Sequence, residues 1–248
     1  PLPTTRYSWR NATTRIRQLY ITDAGQADAE MSSFTGPCGI DIEWKPTYVK
    51  GQPENPVALL QLANVDTILL LHLCRMRNFP KNLQLFLENP ANIKAGVGIQ
   101  GDAKKLYKDC SVNIRSCVDL SLLARSVDNA SWKGRYVEPI GLARLIANYE
   151  DRLLAKGKVT RSNWENPLDA EQKESPCLLL PDCYAGYDLC MRLLPMIHTL
   201  PKIPDPLCYT FDAIRGRLCE PSGATWSPFN PEYDPGPPPP PRLPKAPK

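Results

Sequence analysis

Asp41 and Glu43 stand two residues apart in the apolar segment CGIDIEW. In an extended chain residues i and i+2 project from the same face, so both carboxylates share one side while Ile40 and Ile42 take the other. Like charges set side by side on a sheet repel unless something positive neutralises them. One reading of the pair is a solvated acidic edge. The other is a site for a hard divalent cation, since Mg²⁺ and Mn²⁺ prefer carboxylate oxygens. Asp102 follows the apolar run IKAGVG and opens a helical pattern, which puts it at the sheet edge where α/β folds hold ligands. Asp182 heads the pattern DCYAGYDLCMRLL after Pro181. An acid at a helix start also serves as an ordinary cap. The chain has only two histidines, His72 in an apolar run and His198 near a Pro-rich stretch, and both read as structural. Four carboxylates drawn from three separate elements therefore suggest two-metal chemistry.

The elements that must position these acids alternate strand and helix. RQLYIT (17–22) and CGIDIEW (38–44) read as strands, with the helical segment DAGQADAEMSS (23–33) between them. VALLQLA (57–63) and TILLLHL (67–73) are apolar runs joined by Asn64-Val65-Asp66, a hairpin. IKAGVG (93–98) is a short buried strand. The spacing predicts helices over 82–89, 101–110, 119–126, 140–150 and 182–194. A hairpin followed by strand–helix units predicts an α/β fold. Its mixed sheet combines antiparallel hairpin and parallel strands, with helices packed on both faces.

Composition sets the boundaries. At 248 residues, 42% apolar and 23% charged, the chain is long enough for one large domain with a real core. A net charge of +4 is too slight to announce nucleic acid by itself. No apolar run approaches the ~18 residues of a membrane span, so no membrane partner is expected. Nine cysteines without a C-x-x-C pair fit neither a disulfide framework nor a zinc site, and predict a reduced, intracellular protein. Of the 27 prolines, ten fall in the last 21 residues. Residues 201–248 accordingly read as a Pro-rich tail of polyproline II character, unable to bury a core. Within it Pro237, Pro240 and Arg242 spell P-x-x-P-x-R, a pattern that SH3-type domains bind. Residues 1–16 read as a basic arm: Arg6, Arg10 and Arg15 precede any acid, as in mitochondrial transit segments.

A rival motif lies in the same region. Gly96, Gly98 and Gly101 form G-x-G-x-x-G, with Asp119 near where the ribose-binding acid of a dinucleotide fold would stand. Against it, Asp102 would occupy the helix start where a pyrophosphate needs positive potential. The motif also follows a hairpin instead of opening a first βαβ unit.

The blocks GIDIEWKP, VALLQLA, IKAGVGIQGDAKKL, SNWENPLDAEQ and DCYAGYDLCMRL, in that order, resemble the Werner-syndrome-type 3′-5′ exonuclease domain of the DEDD exonucleases. The resemblance runs from about 17 to 196 and implies a ribonuclease H-like fold over 17–200. It also implies hydrolysis of phosphodiester bonds at DNA or RNA 3′ ends; the expected location is nuclear, with the Arg-rich start leaving a mitochondrial one open. By that resemblance Asp41 and Glu43 are the first-motif acids, Asp102 the second-motif acid and Asp182 the third-motif acid. Together they would bind two Mg²⁺ or Mn²⁺ ions, with Trp44 and Leu106 placed to help seat the terminal nucleotide, a core role being the other reading of Leu106.

The third motif departs from the family. There a Tyr stands four residues before the acid and a Gln seven before it; here Gln172 is ten before Asp182, and Leu178 takes the tyrosine's place. ESPCLLLPD fills the interval, with Pro176 and Pro181 where a helix should begin. Tyr184 and Asp188 offer a second Y-x-x-x-D frame. The departure implies an impaired exonuclease or, alternatively, a catalytically decayed nucleic-acid-binding or scaffolding module. If the acids form a cation site, the double variant Asp41→Ala with Glu43→Ala abolishes metal-dependent cleavage yet stays folded, because it relieves like-charge repulsion. Parallel nuclease and thermal-melting assays check both halves.

Overall fold

The computed structural model describes residues 3–11, 15–154, 163–168 and 181–237. Its elements run β1 (Arg17–Ile21), α1 (Ala24–Met31), β2 (Cys38–Trp44), β3 (Val57–Ala63), β4 (Thr67–Leu71), α2 (Lys81–Glu88) and β5 (Lys94–Gly96). They continue through α3 (Ile99–Cys110), β6 (Ile114–Asp119), α4 (Leu120–Val127), α5 (Leu142–Glu150), α6 (Pro181–Leu193), β7 (Thr210–Ile214) and β8 (Arg217–Cys219). One sheet orders the strands β1-β4-β3-β2-β5-β6-β7-β8. β2–β3–β4 is an antiparallel meander, whereas β1 on β4, β5 on β2 and β6 on β5 are parallel. Every residue of β3 is buried, the mark of a strand covered on both faces.

Period two divides β2 as its sequence requires. Cys38, Ile40 and Ile42 are buried on one face; Gly39, Asp41 and Glu43 share the other. That second face lies under α6. A Cβ on Gly39 would fall 1.8 Å from the Cys183 carbonyl oxygen and 2.5 Å from the Tyr187 nitrogen. On the helix side, a Cβ on Gly186 would stand 3.7 Å from the Gly39 Cα. Strand and helix backbones touch there because neither residue carries a side chain. Pro181 opens α6 instead of breaking it; its fixed φ and missing N–H suit the first helical turn.

Both ends of the chain correct the sequence expectation. Residues 201–248 are expected to be a tail without a core, yet β7 pairs with β6 and β8 closes on β7. Arg215 (φ 51°) and Gly216 (φ 71°) make the two-residue hairpin turn, both in the left-handed region that a type I′ turn requires. Phe211 is fully buried against Trp226, ring centroids 4.6 Å apart. Tyr233 donates to the carbonyls of Trp132 and Gly134 and accepts from Arg125. Proline density thus concealed enough aromatic and β-branched residues to add two strands. The SH3-type pattern lies outside the described residues except for Pro237.

The basic arm, expected over 1–16, is likewise docked where it is described. The Tyr7 N–H donates to the Leu153 carbonyl, the Leu153 N–H donates to the Thr5 carbonyl, and Tyr7 and Trp9 are buried. β6 escaped prediction for a different reason. Ser116 adopts φ 55° and the register with β7 shifts between Ile114 and Cys117, so a bulge breaks its alternation.

Gly39→Ala forces a methyl into a backbone oxygen that cannot rotate away. It should destabilise the chain by about 3 kcal/mol or more, a fall of roughly 6–12 °C in melting temperature. Gly101→Ala, in a helix with nothing within 4 Å of the new methyl, should be neutral or slightly stabilising. Thermal melts of the two variants separate steric contact from a general cost of replacing glycine.

Candidate active site

The contact at Gly39 delivers the first turn of α6 to β2, two residues before Asp41. Asp182 lies in that first turn. Asp102 lies in the first turn of α3, which follows β5, the parallel neighbour of β2. Asp41, Glu43, Asp102 and Asp182 are all partly buried, in contrast to the buried Ile40 and Ile42. The Asp41 carboxyl is held well above the usual carboxylate range, first by burial and then by the charges of Glu43, Asp102 and Asp182. The Ile42 backbone bond acts weakly the other way. The acids that sequence reading chose are thus the ones that press on Asp41. Burial pushes Asp102 up to about 7. Among the described residues no three His, Cys, Asp or Glu side chains are drawn together tightly enough to cage an ion as they stand. The donor chemistry nonetheless fits a hard divalent cation: four carboxylates whose mutual repulsion a 2+ charge would relieve.

Turn chemistry sets the approach of Asp102. Gly98 caps α3 in the left-handed conformation, φ 69°, and its N–H donates to Asp119 Oδ2 at 3.0 Å. Asp119 Oδ1 accepts from the Ser121 and Leu122 N–H groups at 2.8 and 3.0 Å, capping α4. One buried carboxylate therefore ties the β5–α3 turn to the β6–α4 turn. Asp119 is an internal brace, with both oxygens engaged, and is not presented to a ribose.

Trp44 follows a register shift between Glu43 and Trp44, which re-aims the strand end. The Lys105 ammonium sits 4.6 Å from its ring centroid, a cation–π contact. Lys105 also donates to the Asn55 carbonyl at 2.8 Å and pairs with Asp109 at 3.0 Å. Asp109 in turn accepts the Val57 N–H at 3.0 Å. Trp44 is therefore braced on one face and half-buried, which leaves it usable beside the acids. Leu106 is not: it is fully buried in the core, because a residue seven beyond the Ile99 start of α3 falls on the helix's inward stripe. Of the two readings of Leu106, its burial favours the core role.

The rival Tyr184/Asp188 frame resolves the same way. Asp188 accepts hydrogen bonds from Tyr7 and from Tyr184, and so clamps the N-terminal segment onto α6. Charges acting on Asp41 include Asp182 and not Asp188. Leu178 and Gln172 of the third motif lie outside the described residues.

A family model described as 3′-5′ exonuclease matches residues 21–198, most of the chain. The chain belongs to the 3′-5′ exonuclease family. It is 37% identical over 158 residues to the mouse bifunctional 3′-5′ exonuclease/ATP-dependent helicase WRN, covering 62% of this chain and 11% of that protein. It is 33% identical over 157 residues to an Arabidopsis thaliana 3′-5′ exonuclease, covering 61% of this chain and 50% of that one. The chain therefore spans half or less of these relatives. Its fold matches the Aedes aegypti Nibbler EXO domain, with TM-score 0.62, 20% identity, and 81% and 95% of the two chains covered. It also matches Trypanosoma brucei RNase D in complex with RNA U12, at TM-score 0.62 and 15% identity, over 78% of this chain and 67% of that one. The expected ribonuclease H-like α/β fold and membership of the 3′-5′ exonuclease family hold.

Sequence reading missed Asp119's bracing role because it was weighed only as a ribose ligand. It also passed over Gln61, whose signal was an amide inside the otherwise apolar strand VALLQLA.

Asp188 generates a pH prediction. Burial drives its carboxyl up to about 6, with Glu150's charge acting the same way, against the Tyr7 and Tyr184 hydrogen bonds. Unfolded, it would titrate at ~3.9. Between these values the folded state binds more protons, so this group's contribution to stability falls as pH rises from about 4 to about 6, then levels off. Asp188→Asn should remove that dependence, gaining up to about 3 kcal/mol on wild type between pH 4 and pH 8. Urea titrations across that range give the difference directly.

Proposed function

We propose that this chain removes nucleotides from nucleic-acid 3′ ends by metal-dependent hydrolysis at Asp41, Glu43, Asp102 and Asp182. The observation that carries this reading is the set of charges acting on Asp41: three acids from three elements, at the sheet edge where this fold class binds ligands. Two Mg²⁺ or Mn²⁺ ions, when bound there, would supply an activated water and charge neutralisation at the scissile phosphate. The chain's own residues do the rest. Asp41 and Glu43 offer oxygens from one strand face; Asp102 and Asp182 lie at two helix starts, near enough for their charges to act on Asp41. The N-terminal ends of α3 and α6 add positive potential beside the bound phosphate. Trp44, stiffened by Lys105, offers an aromatic surface against which a terminal base stacks. An RNA substrate is supported by the RNA-bound Trypanosoma brucei RNase D neighbour, and a DNA substrate is the alternative. All eight described cysteines are free, which supports a reducing, intracellular compartment. Nucleus and mitochondrion are the two candidate sites.

The missing tyrosine favours a second reading, a decayed module that binds nucleic acid without cutting it. Leu178 has no hydroxyl with which to orient a water. Positioning and proton help of this kind contribute a factor of order 10²–10⁴. On the exonuclease reading, 3′-labelled RNA and DNA are shortened slowly with Mn²⁺ and not in EDTA, and Asp182→Asn abolishes the loss. Replacing 174–181 with a junction that restores the family's Gln–Tyr–Asp spacing should raise the rate at least ~10-fold. Tight binding with no cleavage, before or after that repair, establishes the decayed module instead.

A further inference from the structure

Gln61 is fully buried, and neither its amide nitrogen nor its amide oxygen has a hydrogen-bond partner among the described residues. It stands directly opposite Asp41 in the β2–β3 register. Residues directly opposite in an antiparallel pair share a face, with Cβ atoms roughly 4.5–5.5 Å apart. The amide therefore lies on the face that carries Asp41 and Glu43 and that α6 covers. Its other cross-strand neighbour is Leu70, which offers no polar group. A buried amide left unpartnered is costly, and an apolar residue of similar shape would fill the strand without that cost. Three of its four nearest neighbours along β3, Leu59, Leu60 and Leu62, show what the strand otherwise uses.

We propose that Gln61 is a positioning residue for Asp41. Its amide is held in reserve in the ion-free chain and donates to the Asp41 carboxylate when the site is loaded, fixing which oxygen faces the ion. This rests on the reading of Asp41 as an ion ligand. A neutral donor suits that role, because it steadies a carboxylate among three others without bringing a cation that would compete with the metal. Its length suits it too, since an amide two methylenes from the backbone spans the gap to a directly opposite Asp.

The test compares wild type, Gln61→Met, Gln61→Leu and Asp41→Asn as full chains. Three readouts are taken: melting temperature in EDTA, Mn²⁺ affinity by calorimetry, and steady-state kinetics of hydrolysis on an end-labelled oligonucleotide. The expected result for Gln61→Met is a melting temperature raised by roughly 2–4 °C without ion, as an unsatisfied group is removed. Mn²⁺ affinity should fall ~10–100-fold, the usual effect of losing a residue that orients a metal ligand. The turnover rate, kcat, should fall by a similar factor while the KM for substrate stays put. Gln61→Leu should repeat the pattern, with a different shape filling the strand. Unchanged Mn²⁺ affinity and turnover in both variants would falsify the assignment and leave Gln61 a core residue. A lower ion-free melting temperature in both, or failure of both to fold, also overturns it, because the amide must then be satisfied within the ion-free fold. Asp41→Asn separates the two claims. If it binds Mn²⁺ as well as wild type, the ion-site reading itself fails. If it loses Mn²⁺ while the Gln61 variants do not, only the positioning role fails.

Discussion

The backbone contact between Gly39 and the first turns of α6 governs the geometry of this chain. A helix ordinarily rests on a sheet through a layer of side chains; here the Cys183 carbonyl occupies the space a Cβ at Gly39 would need. Gly186 answers Gly39 from the helix, so the two surfaces close without an intervening layer. The consequence is positional. A helix seated this low, entering over β2, carries Asp182 to the height of Asp41 and Glu43, and no side-chain layer blocks the approach. The same closeness explains why β2 and β3 are buried on the face that bears acids, where an open acidic edge would have been solvated.

Electrostatics pull against that closeness. Burial raises the affinity of Asp41 for its proton, and the packing of three further carboxylates nearby adds to the effect. Lys105, three residues after Asp102, is committed to Asp109, Asn55 and the face of Trp44. Acids crowded in this way repel one another, a repulsion that a bound cation would relieve. It fits the general pattern in which functional sites sacrifice stability that the rest of the molecule provides. The provision is visible around the site: Asp119 joins two turns through three backbone N–H groups, and the Tyr7–Asp188–Tyr184 cluster anchors the N-terminal segment on α6.

The third motif shows how separable the parts of such a site are. Proline at the helix start, which reads as a break, is compatible with α6 because the first turn has no intrahelical use for that N–H. The acid is therefore kept in place even though the residue four before it is Leu178. Loss of the hydroxyl bears on orienting a water, while the carboxylate arrangement depends on Gly39 and Gly186. On the proposed reading, metal binding would rest on Asp182 and the catalytic rate on the residue at 178.

Much of the molecule was legible in the amino-acid order. β2 and β3 have the predicted bounds because period-two alternation and unbroken apolar runs are local signals. Asp41 and Glu43 share a face for the same local reason, and ordered motif blocks pointed to Asp102 and Asp182. Other features are not local. Whether Leu106 meets solvent depends on what α3 packs against, and spacing from Asp102 does not reveal it. β7 and β8 were hidden by the prolines around them, since strands of five and three residues gain their stability from pairing with β6 and not from propensity. Asp119 acquires meaning only through its partner across the fold, a turn 21 residues away, and Gln61 only through its place opposite Asp41 on the adjacent strand. Sequence by itself determined which residue types are available and which face each strand or helix presents. Tertiary structure alone decided which of those faces meet, because contact between distant segments depends on close packing, here on two glycines that let a helix touch a strand.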